Sequence, residues 1–241
     1  MTTLFISDLH LTPEKPETVR AFFRFMEGPA REAKSLYILG DLFEYWAGDD
    51  LANPFNRSII AALAELSRRG VHLYLLVGNR DFLIGRRFAR AARLTLLKDP
   101  SLVRIDGAPT LLLHGDSLCT DDAGYQAFRR KARHPLTLAL LRCLPLSVTR
   151  RIFIAGRRKS EHSKQEKSCS IMDVNAGAVA DVLRAHGHPR LIHGHTHRPA
   201  RHEHTVDGRT CERWVLPDWH GKANWLECRK GVCRLMKESG E

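Results

Sequence analysis

Leu4-Phe5-Ile6-Ser7-Asp8-Leu9-His10-Leu11 runs an apolar stretch that reads as a strand straight into an Asp-x-His pair. The same kind of junction recurs four times. Residues 36–39 lead into Gly40-Asp41 and residues 72–77 into Gly78-Asn79-Arg80-Asp81. Residues 111–113 lead into His114-Gly115, and residues 191–192 into His193-Gly194-His195-Thr196-His197. Each junction offers Asp, Asn or His, the side chains that bind divalent metals of intermediate softness. Between the junctions, 17–27, 54–69 and 81–93 carry apolar residues at helical spacing. Strand–helix alternation predicts an α/β layered fold. In such sheets ligands collect beyond the carboxyl ends of the strands, and the metal-type residues all fall there. A lone Gly-Asp or Gly-Asn is usually only a turn. Five junctions in this order predict one binuclear metal site and the hydrolysis of phosphate esters or anhydrides.

Two metals roughly 3.5–4 Å apart can clamp a phosphoryl group, and such a pair needs a bridging carboxylate. Asp41 is the best candidate, since Gly40 lets the chain turn sharply off the strand end. Asp8 and His10 alternate across one residue, so an extended strand end would aim both the same way. The same reasoning covers His193, His195 and His197, with Gly194 permitting close approach of the backbone. Asn79 offers a neutral amide oxygen where a further carboxylate would over-neutralise the metals. His202 and His204 alternate on what reads as a solvated surface strand.

The formal charge of +11 implies an anionic partner: nucleic acid, an anionic membrane surface or a phosphorylated substrate. The six cysteines include no CxxC pair and suggest no disulfide framework, which fits a reducing cytosol. The N-terminus enters a strand almost at once, so no secretory signal is expected. The apolar stretch 136–148 is interrupted by Arg142 and too short to span a bilayer. From 201 onward, short apolar runs at 201–206, 211–216, 223–228 and 232–236 predict an antiparallel second sheet. Residues 122–170 break the alternation. They read as Arg- and Lys-rich helices around an apolar set that includes Leu140, Val148, Ile152 and Phe153, and predict a helical insertion or lid over the site.

The order D-x-H, G-D, G-N-x-D, a lone His and G-H-x-H resembles the calcineurin-like metallophosphoesterases, from Asp8 to His197. The resemblance implies a four-layer αββα sandwich, here one domain over 1–241 with a lid insertion at about 122–170. It implies one metal held by Asp8, His10, Asp41 and His197, and a second held by Asp41, Asn79, His114 and His195, with two Mn²⁺ per chain. Where the family has a His after Gly-Asn, this chain has Arg80. That His is thought to protonate a departing alkoxide; an arginine cannot, but it can bind a phosphate in bidentate fashion. A leaving group that needs no proton is itself a phosphate, so the swap points to a pyrophosphate substrate.

A finer resemblance is to the branch that hydrolyses UDP-2,3-diacylglucosamine in lipid A synthesis. It is carried by the segments around Asp8, by Tyr37–Glu44, by Gly78–Leu83, by His114–Asp122 and by Ile171-Met172-Asp173-Val174-Asn175. It implies substrate contacts from Asn79, Arg80, Asp122, Ser160, Lys164, Lys167 and His195, with Asp41, Asn79, Arg80 and His195 at the chemistry. It also implies water attack on the α-phosphorus, giving UMP and the acylated glucosamine 1-phosphate. The implied partners are an acylated UDP-sugar and the cytoplasmic face of an anionic inner membrane, bound peripherally, and no nucleic acid. The alternatives are a nuclease or nucleotide phosphodiesterase of the same superfamily, and a non-enzymatic scaffold with a vestigial site.

Overall fold

In the computed structural model, residues 2–153 and 173–238 are described. Three parallel strands, β1 (Thr2–Ile6), β2 (Ser35–Leu39) and β3 (His72–Leu76), form the centre of a six-stranded sheet. Each alternates apolar side chains to both faces, as a sheet covered on both sides requires. Leu4, Ile6, Leu36, Ile38, Leu73 and Leu75 point to a helical layer. That layer is made by α1 (Pro16–Glu27), α2 (Pro54–Arg68) and α3 (Arg86–Ala91), whose Phe22, Phe25, Ile59, Leu63 and Phe88 complete this core. Asn53 caps α2 by accepting from the amides of Phe55 and Asn56, ahead of Pro54 at the first helical position.

Phe5, Tyr37, Leu39 and Leu76 point the other way, into a second core shared with Leu112, Ile192 and Trp214 of a five-stranded sheet. After the two-residue β4 (Thr95–Leu96) at the edge of the first sheet, this second sheet is built from β5 (Ser101–Ile105) and β6 (Ala108–Leu112) onward. The helical insertion follows as α4 (Ala123–Ala132), α5 (Pro135–Cys143) and α6 (146–153), the rest of the expected 122–170 segment lying outside the described residues. Then come α7 (Ala176–Ala185), β7 (Arg190–His193), β8 (Ala200–Val206) and β9 (Arg209–Val215). The sheet order is β5-β6-β7-β9-β8, with β6, β7 and β9 parallel. Val179 and Leu183 of α7 pack on Leu111 and Leu191, closing the fourth layer. The architecture is thus an αββα sandwich with a helical insertion.

Several expectations need correction. The C-terminal strands form no sheet of their own. β8 and β9 join β7 in the second sheet, while β10 (Asn224–Arg229) and β11 (Val232–Lys237) cross back to extend the first, β10 lying antiparallel to β1. The helix read at 81–93 shrinks to α3, because Asp81 is buried and its carboxylate accepts from the amides of Gly78 and Leu42. Cys228 and Cys233 stand opposite each other on β10 and β11 and are joined as a disulfide, a pairing their spacing did not suggest. Within the insertion, Leu140, Val148 and Ile152 are exposed, whereas Leu138, Leu141 and Phe153 pack against the core. Among the described residues, no helix is long and apolar enough to cross a membrane.

Candidate metal centre

The strand-end residues converge. Asp8 and His10 follow β1, Asp41 follows β2, Asn79 and Arg80 follow β3, His114 follows β6, and His195 and His197 follow β7. Backbone bonds stitch these loops together: Asp8 N donates to Gly40 O (3.1 Å), His10 N to Asp41 O (3.0 Å) and Gly194 N to His114 O (2.8 Å). The local conformation is not the extended one that alternation suggests. Asp8, His10, Asp41, His195 and His197 all have φ between 50° and 71°, in the left-handed region. Non-glycine residues rarely sit there, and when they do they cluster at functional sites. Sharp turns off the strand ends, rather than strand periodicity, aim Asp8 with His10 and His195 with His197.

Two clusters result, one of Asp8, His10 and His197, the other of Asp8, Asp41 and His114; within each, the candidate ligand atoms lie within 4.8 Å of one another. In the first, His10 Nε2 and His197 Nε2 are 3.4 Å apart, and His197 Nε2 is 3.5 Å from Asp8 Oδ1. In the second, His114 Nε2 is 3.8 Å from Asp41 Oδ1 and 2.9 Å from Asn79 Oδ1. His114 Nδ1 is 2.9 Å from the Leu39 carbonyl, which can only accept, so Nδ1 carries a proton. In the neutral ring Nε2 is then a lone pair facing two oxygen acceptors. Asp8 Oδ1 and His10 Nδ1 are buried without a hydrogen-bond partner. Facing acceptors and orphaned buried donor atoms are costly without a cation between them, so the residues fit a pair of divalent metals. His195 is in neither cluster; its ring packs edge-on to His114 and stacks with Tyr125.

Electrostatics follow from burial. Burial favours neutral Asp8, yet His197, 3.5 Å away, and the nearby His114 and His10 outweigh it and hold the carboxyl below its ordinary range. Burial pushes Asp41 up to about 7, with Asp81 and Asp8 adding to the rise. His10 falls to about 3 through burial and the Arg80 charge. Burial opposes protonation of His197, but Asp218 and Asp8 raise it to about 9. Burial likewise opposes the charge on His114, and Asp41, Asp8 and Asp116 raise it.

Several supporting residues escaped the sequence reading. Asp218, just past the end of β9, accepts from His197 Nδ1 at 2.9 Å and orients that ring, as carboxylates behind ligating histidines do. The strand-end rule could have found it. Glu44 is buried, pairs with Arg80 Nη1, and is itself held by Lys15 Nζ at 2.7 Å. Arg80 Nε lies 3.7 Å from Asp41 Oδ2, so the guanidinium faces the cleft from a fixed mount. Asp116, two residues past His114, is fully buried and accepts from Tyr125 Oη (3.0 Å), Arg129 Nε (2.9 Å) and Arg133 Nη2 (3.0 Å), tying α4 to the site. Asp122 is the N-cap of α4 and accepts from Tyr125 N. Ser160, Lys164 and Lys167 lie outside the described residues.

The family model of the calcineurin-like phosphoesterases matches residues 1–199. The UDP-2,3-diacylglucosamine hydrolase of Aromatoleum aromaticum is 57% identical over 226 residues, covering 94% of this chain and 92% of that protein. The chain belongs to the UDP-2,3-diacylglucosamine hydrolase family of calcineurin-like phosphoesterases. It is accordingly a hydrolase, and the vestigial-scaffold alternative falls. The family member from Azotobacter vinelandii is 51% identical over 94% of this chain and 93% of its own length. Among solved structures, an archaeal phosphodiesterase aligns over 99% of this chain and 100% of its own, with 13% identity and a TM-score of 0.47.

Proposed function

We propose that the chain hydrolyses the pyrophosphate bond of UDP-2,3-diacylglucosamine in lipid A synthesis, giving UMP and 2,3-diacylglucosamine 1-phosphate, with two Mn²⁺ as cofactors. The reading assigns Asp8, His10, Asp41 and His197 to one ion and Asp41, Asn79, His114 and His195 to the other. Bound there, a pair of divalent cations supplies Lewis-acid chemistry, lowering the pKa of water and neutralising a phosphoryl group. The chain's own residues do the rest. Asp8 belongs to both clusters, and Asp41, 4.0 Å from His10 and 3.8 Å from His114, is the carboxylate this reading sets between the two ions. Arg80, braced by Glu44, donates to phosphate oxygens as negative charge builds on them. His195, flanked by His114 and Tyr125, is placed to touch the attacked phosphoryl group.

The observation that carries this reading is Arg80. An arginine paired with Glu44 and beside Asp41 cannot hand a proton to an alkoxide. Water attack at the α-phosphorus expels a phosphomonoester, which needs none. We further assign Asp122, Ser160, Lys164 and Lys167 to substrate contacts, and 122–170 to a lid over the acyl chains at the cytoplasmic face of the inner membrane. Hydrolysis in ¹⁸O-water tests the core of the proposal. Label is expected in UMP; label in the lipid phosphate would refute attack at the α-phosphorus.

A further inference from the structure

A second polar cluster lies on the other side of the 195–198 loop, on the outer face of the second sheet. Arg213 of β9 shares that face with Cys211, which packs under α7. Arg213 is only 6% exposed. Its Nε donates to His204 Nε2 at 2.9 Å, and its Nη1 lies 3.1 Å from His193 Nε2. The His193 ring has Nδ1 2.9 Å from the Gly194 carbonyl, so Nδ1 holds the proton and Nε2 accepts. Both partners are therefore neutral acceptors. They satisfy two hydrogen bonds and leave the charge without an ion pair, for no carboxylate lies within ion-pairing distance of Arg213 among the described residues, Asp173 acting on it only from farther away. Buried charges are ordinarily paired, and a buried guanidinium is well suited to oxyanions. His202 and His204, read from the sequence as solvated, are half-buried around this group.

Arg213 lines a cavity of about 260 Å³ together with Thr196, Arg198, His202, Val215 and Asp173. Asp173 is engaged with Arg198 at the rim, so the wall keeps a net positive charge. The Thr196 hydroxyl, on the loop between His195 and His197, makes no hydrogen bond. A neutral occupant would leave the buried charge as it stands; an oxyanion would complete it.

We propose that this cavity is a binding site for a phosphate-class oxyanion, distinct from the metal centre, with Arg213 as its principal anchor. Its position on the loop that carries His195 and His197 couples occupancy to the backbone of two site residues. The anion is either free phosphate or the phosphate of a nucleotide. Neither the probe nor the readout below involves turnover, so failure here leaves the proposed reaction untouched, and the reverse holds too.

Crystals of the metal-loaded enzyme soaked in tungstate, a heavy counterpart of phosphate, are expected to show an anomalous peak beside Arg213, separate from any at the metal centre. Arg213→Gln removes that peak, and Arg213→Lys, which keeps the charge, retains it. A peak confined to other sites, or one that survives in Arg213→Gln, overturns the proposal. Calorimetry with inorganic phosphate, UMP and uridine then separates the sources. Phosphate and UMP should each show, besides binding at the metal centre, a second binding event in the wild type that is at least about tenfold weaker in Arg213→Gln, a difference of roughly 1.4 kcal/mol. UMP ahead of phosphate points to a nucleotide, and parity points to the free anion. Uridine binding as tightly as UMP would overturn the oxyanion chemistry.

Discussion

At the scale of single residues, the site is a set of competing demands for protons. With Asp41 raised to about 7 and His197 to about 9, His197 carries a proton at neutral pH in the metal-free protein and Asp41 is about half-protonated. His10, lowered to about 3, and Asp8, lowered below its usual range, carry none. A metal needs every ligand deprotonated, so binding must expel the first set of protons. The sign follows: affinity rises with pH through 7 and on toward 9, and falls in acid. Titrating Mn²⁺ at pH 7 in two buffers of different ionisation enthalpy should report release of at least about one proton; a heat independent of buffer would contradict these assignments. Arg80 makes a second case. Arg80→Ala is expected to lower kcat by roughly 10²–10³, the usual loss of a donor aimed at developing charge. Glu44→Gln keeps the guanidinium but removes its brace, so kcat should fall by less, with KM little changed. Steady-state kinetics with both variants would check this, and a Glu44→Gln enzyme as fast as wild type would leave Glu44 no positioning role. The residue types of the site were legible because strand-end Asp, Asn and His stand out in sequence. Glu44 was not, since nothing local marks a carboxylate that acts by bracing a neighbour, and Asp218 was passed over although it too follows a strand.

At the scale of elements, the strand-to-loop turns carry the geometry. Gly78 has an ordinary φ, yet a Cβ there would land inside contact distance of Asp41 Oδ1 and of the Asp41 backbone. Gly107, in the β5–β6 turn, has φ +84° and nothing within 4 Å of the same position. The two glycines therefore separate collision from strain. Gly107→Ala should cost about 1–2 kcal/mol of stability for a left-handed alanine and leave turnover per folded molecule intact. Gly78→Ala should displace Asp41 and abolish metal binding even in protein that remains folded. Metal content and thermal melting of both variants would decide; a metal-replete Gly78→Ala would show that the close approach is dispensable. The strand-end turns of the site were expected from the sequence, but the common aim of Asp8 with His10 and of His195 with His197 was put down to strand alternation. The left-handed φ of Asp8, His10 and Asp41 is imposed by tertiary packing, which residue type alone does not reveal. The described part of the insertion, up to residue 153, was legible as helical from its broken alternation. Its charges were not, because Arg129 and Arg133 turn inward to Asp116 and Asp99, and Arg150 pairs with Asp50.

At the scale of the whole molecule, local periodicity announced the layered core, while long-range pairing stayed hidden. β10 and β11 read as a separate sheet because their partner, β1, lies at the opposite end of the chain. The Cys228–Cys233 pair emerges only once β10 and β11 are in register. The same distinction governs the surface. The charge of +11 is a property of the chain, but what it can attract depends on which cations remain unpaired. Arg130, Lys131, Arg142 and Arg151 have no carboxylate partner among the described residues. Beside them the helical insertion exposes Phe128, Leu136 (75% exposed) and Leu140. Exposed apolar side chains among free cations are the composition that seats a helix in an anionic lipid interface, with about 1 kcal/mol per basic residue near the surface. Co-flotation with anionic vesicles is therefore expected at low salt and should weaken as salt screens the cations. Phe128→Glu, Leu136→Glu and Leu140→Glu together should reduce flotation strongly while barely moving the melting temperature, because these side chains contribute little to the core. Flotation indifferent both to salt and to the triple substitution would mean that the lid is not the surface that meets the membrane.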